Sequence, residues 1–246
     1  MKKLINSSLA LCATLFLATL FPASHAPAQR RPAPKPAPKK GTPTPQVKPT
    51  PMPTPAPTPT PAPTPAPEPF DSATVEQMAA QCVRLETEAG TIEMKMLPEV
   101  APETVRNFLN LAATKAFDTT TFSRVVRNFV IQGGNLSTRT ELTAALAARS
   151  RRKIPDEPNS VKHVRGVVSM ARPDTPNSAT TNFFILVGNG SHLDKTFAAF
   201  GRVTKGMDVV DAINRAALEG ESPLTPVRVG SAVVYACAAG QPESTP

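Results

Sequence analysis

The chain has 246 residues, 29 prolines and a formal charge of +8, but no Trp and a single Tyr. The charge sits at one end: eight of the 27 Lys and Arg residues precede the first carboxylate, Glu68, and the other 19 are matched by 19 Asp and Glu. A balanced domain in which the usual stacking residues are scarce argues against a nucleic-acid surface, and the length left after the proline-rich stretch suits one domain that buries its own core.

Lys2 and Lys3, the apolar stretch from Leu9 to Phe21 and the small residues after it form the three regions of a secretory signal, assigned to residues 1–28. The stretch is shorter than the ~20 apolar residues that cross a bilayer, so no membrane span is expected once the signal is removed. Ala26-Pro27-Ala28 is the preferred cleavage site, because cutting after Ala26 leaves Pro27 as the first residue. Leu11, bulky where a lipoprotein site wants a small residue, argues against lipidation at Cys12. Export places the chain in the periplasm, in the cell envelope or outside the cell. Processing leaves Cys82 and Cys237 in an oxidising compartment, in the strand-like runs Gln81 to Leu85 and Val227 to Tyr235 or just beyond. They bridge if those terminal strands are neighbours and are two buried thiols if they are not, and spacing leaves both readings open.

Residues 29–69 are Pro-Ala, Pro-Lys and Thr-Pro steps that hold no core. Such a linker reads as a polyproline II spacer at ~3.1 Å per residue, with a reach on the order of 100 Å.

Residues 70–246 carry the folded domain. Thr91 to Met96 alternates as a strand, and Val105, Phe108, Leu109 and Ala112 fall on one face of a helix that opens with Glu103. A second helix is expected from Met207 to Arg215, and a short one from Thr140 to Arg149. Short β-rich runs cover Thr121 to Val126, Phe129 to Gln132, Gly166 to Met170, Asn182 to Val187 and Ala198 to Val203. Many short strands with two capping helices predict a mainly β closed barrel rather than a doubly wound sheet.

The chain has no GxSxG, HExxH or P-loop motif and no paired-cysteine metal site, and only His163 and His192 survive processing. That composition predicts chemistry without a covalent intermediate, a metal or a cofactor. One run stands out: Phe122-Ser123-Arg124-Val125-Val126-Arg127-Asn128-Phe129-Val130-Ile131-Gln132-Gly133-Gly134. Arg124 interrupts an apolar strand, where a cation is a rim residue, an ion-pair partner or a functional group.

This run resembles the cyclophilin signature F-x-R-[IV]-[IV]-x-x-F-x-[IV]-Q-G-G. His163 to Arg172, Pro176 to Ile185, and Leu193-Asp194 with Phe197 and Phe200-Gly201-Arg202-Val203 resemble later blocks of the same family, in order, across Cys82 to Cys237. The resemblance implies an eight-stranded antiparallel barrel capped by two helices and a peptidyl-prolyl cis/trans isomerase acting as a monomer on proline-containing polypeptides. It implies Arg124 as the catalytic arginine, with Phe129 and Gln132 beside it. Val130, Ala171, Arg172, Asn182, Phe184, His192, Leu193 and Phe197 match positions that bind substrate. Asn182 stands where the family usually has Gln, one methylene longer, and His192 where some members have Trp.

The insertion from Ser137 to Lys153 ends in Arg149-Ser150-Arg151-Arg152-Lys153 and reads either as a selector of acidic partners or as a solvated basic face. Three functions fit the sequence: a folding catalyst for exported proteins, a prolyl-peptide-binding module or chaperone with little turnover, and an envelope protein in which the linker matters most.

Overall fold

A computed structural model describes residues 66–238. The signal, most of the linker and the last eight residues lie outside that range.

A one-turn helix α1 (Val75–Ala79) opens the domain, closed by a capping box in which Thr74 and Gln77 exchange side-chain and backbone bonds. Strands β1 (Gln81–Thr87) and β2 (Gly90–Met96) follow as a hairpin whose alternate residues Leu85, Ile92, Met94 and Met96 are buried. Helix α2 (Pro102–Ala113) begins with Pro at N1, which needs no donor there, and buries Val105, Phe108, Leu109, Leu111 and Ala112. Its N-cap, Ala101, offers no side-chain oxygen. The orphan amides of Glu103 and Thr104 instead donate to the carboxylate of Glu157 at 3.0 and 2.7 Å.

Two short strands, β3 (Arg124–Val126) and β4 (Val130–Gly133), make the next hairpin. Helix α3 (Ala144–Arg149) lies in the insertion, and β5 (Val167–Met170), β6 (Phe183–Leu186) and β7 (Ala199–Lys205) complete the middle of the sheet. Helix α4 (Met207–Asn214), a small hairpin of β8 (Leu218–Glu219) and β9 (Ser222–Pro223), and β10 (Val229–Ala236) finish the chain.

Eight strands form one antiparallel sheet in the order β10-β1-β2-β7-β5-β6-β4-β3. The expected closure of the barrel is not found: β10 and β3 are its two free ends, and the curled sheet stays open along one seam. The reason is local. β3 is three residues long, and its Val125 amide donates to the Glu221 carbonyl of the β8–β9 turn rather than to a ladder. Only the lead into β3 reaches the lead into β10, through one isolated bridge, Thr121 to Arg228, and the bonds of Thr119, Thr120 and Phe122 to Val227 and Val229. Four α-helices occur among the described residues rather than the two caps alone: α2 and α4 are the two expected caps, α3 is the short helix expected in the insertion, and α1, outside any motif, is not expected.

β6 decides where the core and the site lie. Its sequence Phe183-Phe184-Ile185-Leu186 is apolar throughout, and all four residues are buried, so the strand is covered on both faces. Phe183 and Ile185 join the main core under α2 and α4, with Phe108 packed against Phe117, Phe183 and Phe200 at ring-centroid distances of 5.0, 5.2 and 4.9 Å. Phe184 and Leu186 belong to a second apolar cluster on the opposite face, with Val130, Val167 and Ala199 and the less buried Phe129, Leu193 and Phe197. Gly134, at φ +82°, lets the chain leave β4 against the Thr181 carbonyl and the Phe183 ring of the main core. A Cβ there would fall 2.3 Å from the Thr181 carbonyl oxygen, which accounts for the last glycine of the Gln132-Gly133-Gly134 run.

Cys82 and Cys237 are joined by a disulfide with their Cα atoms 5.1 Å apart. β1 pairs with β10, Cys82 lies opposite Tyr235, and the Cys237 amide donates to the Ala80 carbonyl, so the two sulfurs meet across neighbouring strands. The basic end of the insertion folds onto its own chain. Arg149 grips the Glu68 carboxylate through Nε and Nη2 at 2.6 and 3.1 Å and also donates to Asn107, while Arg152 reaches the same carboxylate at 3.0 Å. Of the two readings of this segment, a client selector and a solvated face, neither describes Arg149.

Candidate active site

Strand register builds the site. Arg124 of β3 lies directly opposite Gln132 of β4, and Gln132 lies opposite Phe184 of β6, so one row across three strands carries a cation, an amide and a ring. The β3–β4 turn brings Phe129 over this row. Asn128 takes a positive φ of 57°, and Asn214 at the end of α4 staples the turn by accepting from the Asn128 amide and donating to the carbonyls of Val126 and Val130. Leu193 and Phe197 come from a loop that starts with a 3-10 turn, Ser191–Leu193, and the Phe197 amide donates to the Leu193 carbonyl.

Together Arg124, Phe129, Val130, Gln132, Ala171, Arg172, Phe184, Leu193 and Phe197 line a pocket of about 140 Å³. Its floor is apolar: Val130 and Phe184 are buried, and Phe197 meets Phe184 edge-on at 6.1 Å. Arg172 stacks its guanidinium over Phe197 at 5.0 Å and is anchored by Asp156 at 3.2 Å, which makes it a wall of the pocket. At the rim Arg124 is half-exposed. Its Nε donates to Glu221 at 2.7 Å and Nη1 to Gln132 at 3.3 Å, and Nη2 has no protein partner among the described residues. The arrangement is a small apolar socket with a fixed cation on its edge, sized for one ring rather than a drug-sized ligand.

Two residues matched to substrate binding lie outside the lining. The Asn182 carbonyl accepts from the Ala171 amide and so braces the wall, while its Oδ1 is buried without a partner. His192 packs on Phe129, with centroids 5.2 Å apart and ring planes tilted by 33°. Sequence reasoning missed Glu221 and Asp156, the partners of the two arginines. Glu221 is 97 residues from Arg124 in the chain and belongs to no motif.

Beneath the loop lies a buried polar chain. His163 is fully buried; its amide and Nδ1 both face Asp194 Oδ1, at 2.8 and 3.2 Å, and Nε2 faces Ser169 Oγ at 3.1 Å. Ser169 Oγ also stands 2.9 Å from the Ala198 carbonyl, so its single proton serves one acceptor or the other. Burial pushes the imidazole below its ordinary 6.5, against the opposing pull of Asp194. Asp194 is lowered to about 2, first by the His163 amide and then by Lys162.

The signs follow from these directions. A histidine whose folded pKa is depressed stabilises the fold fully above its unfolded pKa, and that stability drains away as pH falls below 6.5 towards the folded value. Asp194 holds until pH falls through its own range, from 3.8 to about 2. Urea melts between pH 8 and pH 5 should therefore show the midpoint falling below about pH 6.5, and His163→Gln should flatten that dependence.

The sequence profile of the cyclophilin type peptidyl-prolyl cis-trans isomerase/CLD family matches residues 82–234, more than half of the chain and all of the pocket. The chain is a cyclophilin. A peptidyl-prolyl cis-trans isomerase of Streptomyces antibioticus is 36% identical over 166 residues, covering 62% of this chain and 97% of the relative. Peptidyl-prolyl cis-trans isomerase B of Escherichia coli is 36% identical over 140 residues, covering 53% and 82%. An Arabidopsis thaliana isomerase at 36% identity is matched over 62% of its own length. The crystal structure of a cyclophilin type isomerase from Cryptosporidium parvum superposes with a TM-score of 0.57 over 64% of this chain and 99% of that one, at 23% identity, and shows the shared fold. As a cyclophilin the chain is a peptidyl-prolyl cis-trans isomerase that binds proline-containing peptides. No helix among the described residues is long and apolar enough to cross a membrane.

Proposed function

We propose that this cyclophilin accelerates the folding of exported polypeptides, acting as a monomer, with Arg124 as the group that lowers the rotational barrier. Rotation about an X-Pro bond is slow because amide resonance is lost, at a barrier of ~18–20 kcal/mol. No bond breaks, so the site needs only to favour the twisted amide over both planar forms. In that state the prolyl nitrogen becomes pyramidal and its lone pair accepts a hydrogen bond. A guanidinium, which stays protonated, supplies the donor. Phe129, Phe184, Leu193 and Phe197 hold the pyrrolidine ring and exclude water, leaving the carbonyl side free to turn.

The observation that carries this reading is the uncommitted Nη2 of Arg124 at an apolar socket lined by Phe129, Phe184, Leu193 and Phe197. The Cryptosporidium protein was also crystallised in the presence of the dipeptide Ala-Pro, which fits a socket of this size. Export is supported by the signal pattern of residues 1–28 and by the disulfide, a bond that persists in oxidising compartments.

Protein expressed with its native N-terminus, fractionated and sequenced from its first residue, should begin at Gln29; full-length protein in the cytoplasm would refute export. Relaxation of a cis Ala-Pro peptide at low temperature, where the uncatalysed background is slow, tests the activity. Tight peptide binding without faster relaxation would favour the binding-module reading.

A further inference from the structure

We propose that Glu221, from the β8–β9 turn, is a positioning residue for Arg124. The inference rests on the isomerase reading and names the part of the site that orients its cation.

Glu221 is fixed from both sides. β8 and β9 pair Leu218 with Pro223 and Glu219 with Ser222, and Gly220 turns between them at φ +61°. The Leu224 amide donates to the Ala217 carbonyl and closes the base of the hairpin. The tip is tied to β3 by the Val125 amide, which donates to the Glu221 carbonyl at 2.8 Å, one residue from Arg124. The hairpin's start is held as well, because Arg127 donates to the carbonyls of Asn214 and Ala216. The carboxylate is therefore delivered by backbone that is bonded to the strand carrying the arginine, and it takes Nε at 2.7 Å.

This placement does what a free side chain cannot. Arg124 and Glu221 are 43% and 54% exposed, so their pairing adds little to fold stability. An arginine at that exposure with one weak bond, to Gln132 at 3.3 Å, would sample many rotamers. Held at Nε by Glu221 and at Nη1 by Gln132, the guanidinium plane is set, and Nη2 is the group left for substrate. Preorganised donors act on the transition state and add little to ground-state binding, so the effect belongs in turnover.

The test uses the mature protein and the variants Glu221→Ala, Glu221→Gln, Arg124→Ala and the double variant Arg124→Ala/Glu221→Ala, each checked for an unchanged melt. Glu221→Ala should lower kcat/KM on an Ala-Pro peptide about fivefold, about 1 kcal/mol at 1.36 per tenfold, with peptide affinity unchanged. Glu221→Gln, which keeps an acceptor for Nε, should stay within about twofold of wild type, and Glu221→Ala should cost nothing further once Arg124 is gone. Full activity in Glu221→Ala, an equal loss in the Arg124→Ala background, or a loss carried by affinity alone overturns the proposal while leaving the isomerase reading intact. A wild type that does not accelerate relaxation sinks the isomerase reading, and this proposal with it.

Discussion

Arg124→Ala is expected to lower kcat/KM on a cis Ala-Pro peptide by about 10²-fold, the scale on which removal of one preorganised donor at a developing charge is felt. The fold should be spared. Arg124 is half-exposed, its bond to Glu221 is exposed and the one to Gln132 part-buried, and β3 is held by its ladder to β4 and by the Val125 amide. Near-native melts with activity reduced about 10²-fold would place the residue in the chemistry, and peptide affinity close to wild type would place it in the transition state rather than in binding. Arg124→Lys should fall between, because an ammonium keeps the charge but cannot serve Glu221, Gln132 and a substrate nitrogen from one rigid plane. Activity within about twofold of wild type in Arg124→Ala would remove the arginine from the mechanism and leave the apolar socket to do the work by desolvation.

Reduction of the Cys82–Cys237 bond should lower unfolding stability by about 3–5 kcal/mol. The cross-link closes a loop with a sequence separation of 155, and the chain-entropy account gives about 5 kcal/mol for a loop of that length as an upper figure. For a domain whose total stability is on the order of 5–15 kcal/mol, that is a large share. Urea melts with and without dithiothreitol measure it, and the Cys82→Ala/Cys237→Ala variant separates the bond from the reagent. The pocket should keep its activity below the new midpoint, because β1 and β10 remain paired from Gln81 to Thr87 and the lining residues come from other strands and loops. Superimposable oxidised and reduced melts would show that this pairing alone secures the chain ends.

The sequence revealed what short-range patterns encode. The alternation from Thr91 to Met96 became β2, and the apolar face of Val105, Phe108, Leu109 and Ala112 became the buried side of α2. The run from Phe122 to Gly134 gave both strands of the β3–β4 hairpin, and with them the Arg124–Gln132 row. What stayed hidden depends on contacts between distant residues. Nothing near Ala101 announces that its helix is capped by Glu157, and nothing near Arg124 announces Glu221. Closure failed as an expectation for a related reason. Strand count was readable, but whether the last edge meets the first depends on three residues of β3 and on a hairpin tip that takes their free amide. Asn182 is not among the lining residues; its carbonyl takes the amide of Ala171, which is one of them, a backbone contact that no motif spells out.

The disulfide also decides how the domain bears mechanical load. A pull on the two ends of the folded region meets first the contacts of Glu68 with Arg149 and Arg152, then the bonds of Phe70, Asp71 and Ala73 to Arg106 and Asn110 of α2, and then α1, all of them made by residues that precede Cys82 in the chain. Beyond them tension passes from Cys82 Sγ to Cys237 Sγ and bypasses every residue between, the whole pocket included. Stretched from its ends, this domain would give up only the ordered residues before Cys82, from 66 to 81, while the pocket stays inside the covalent loop.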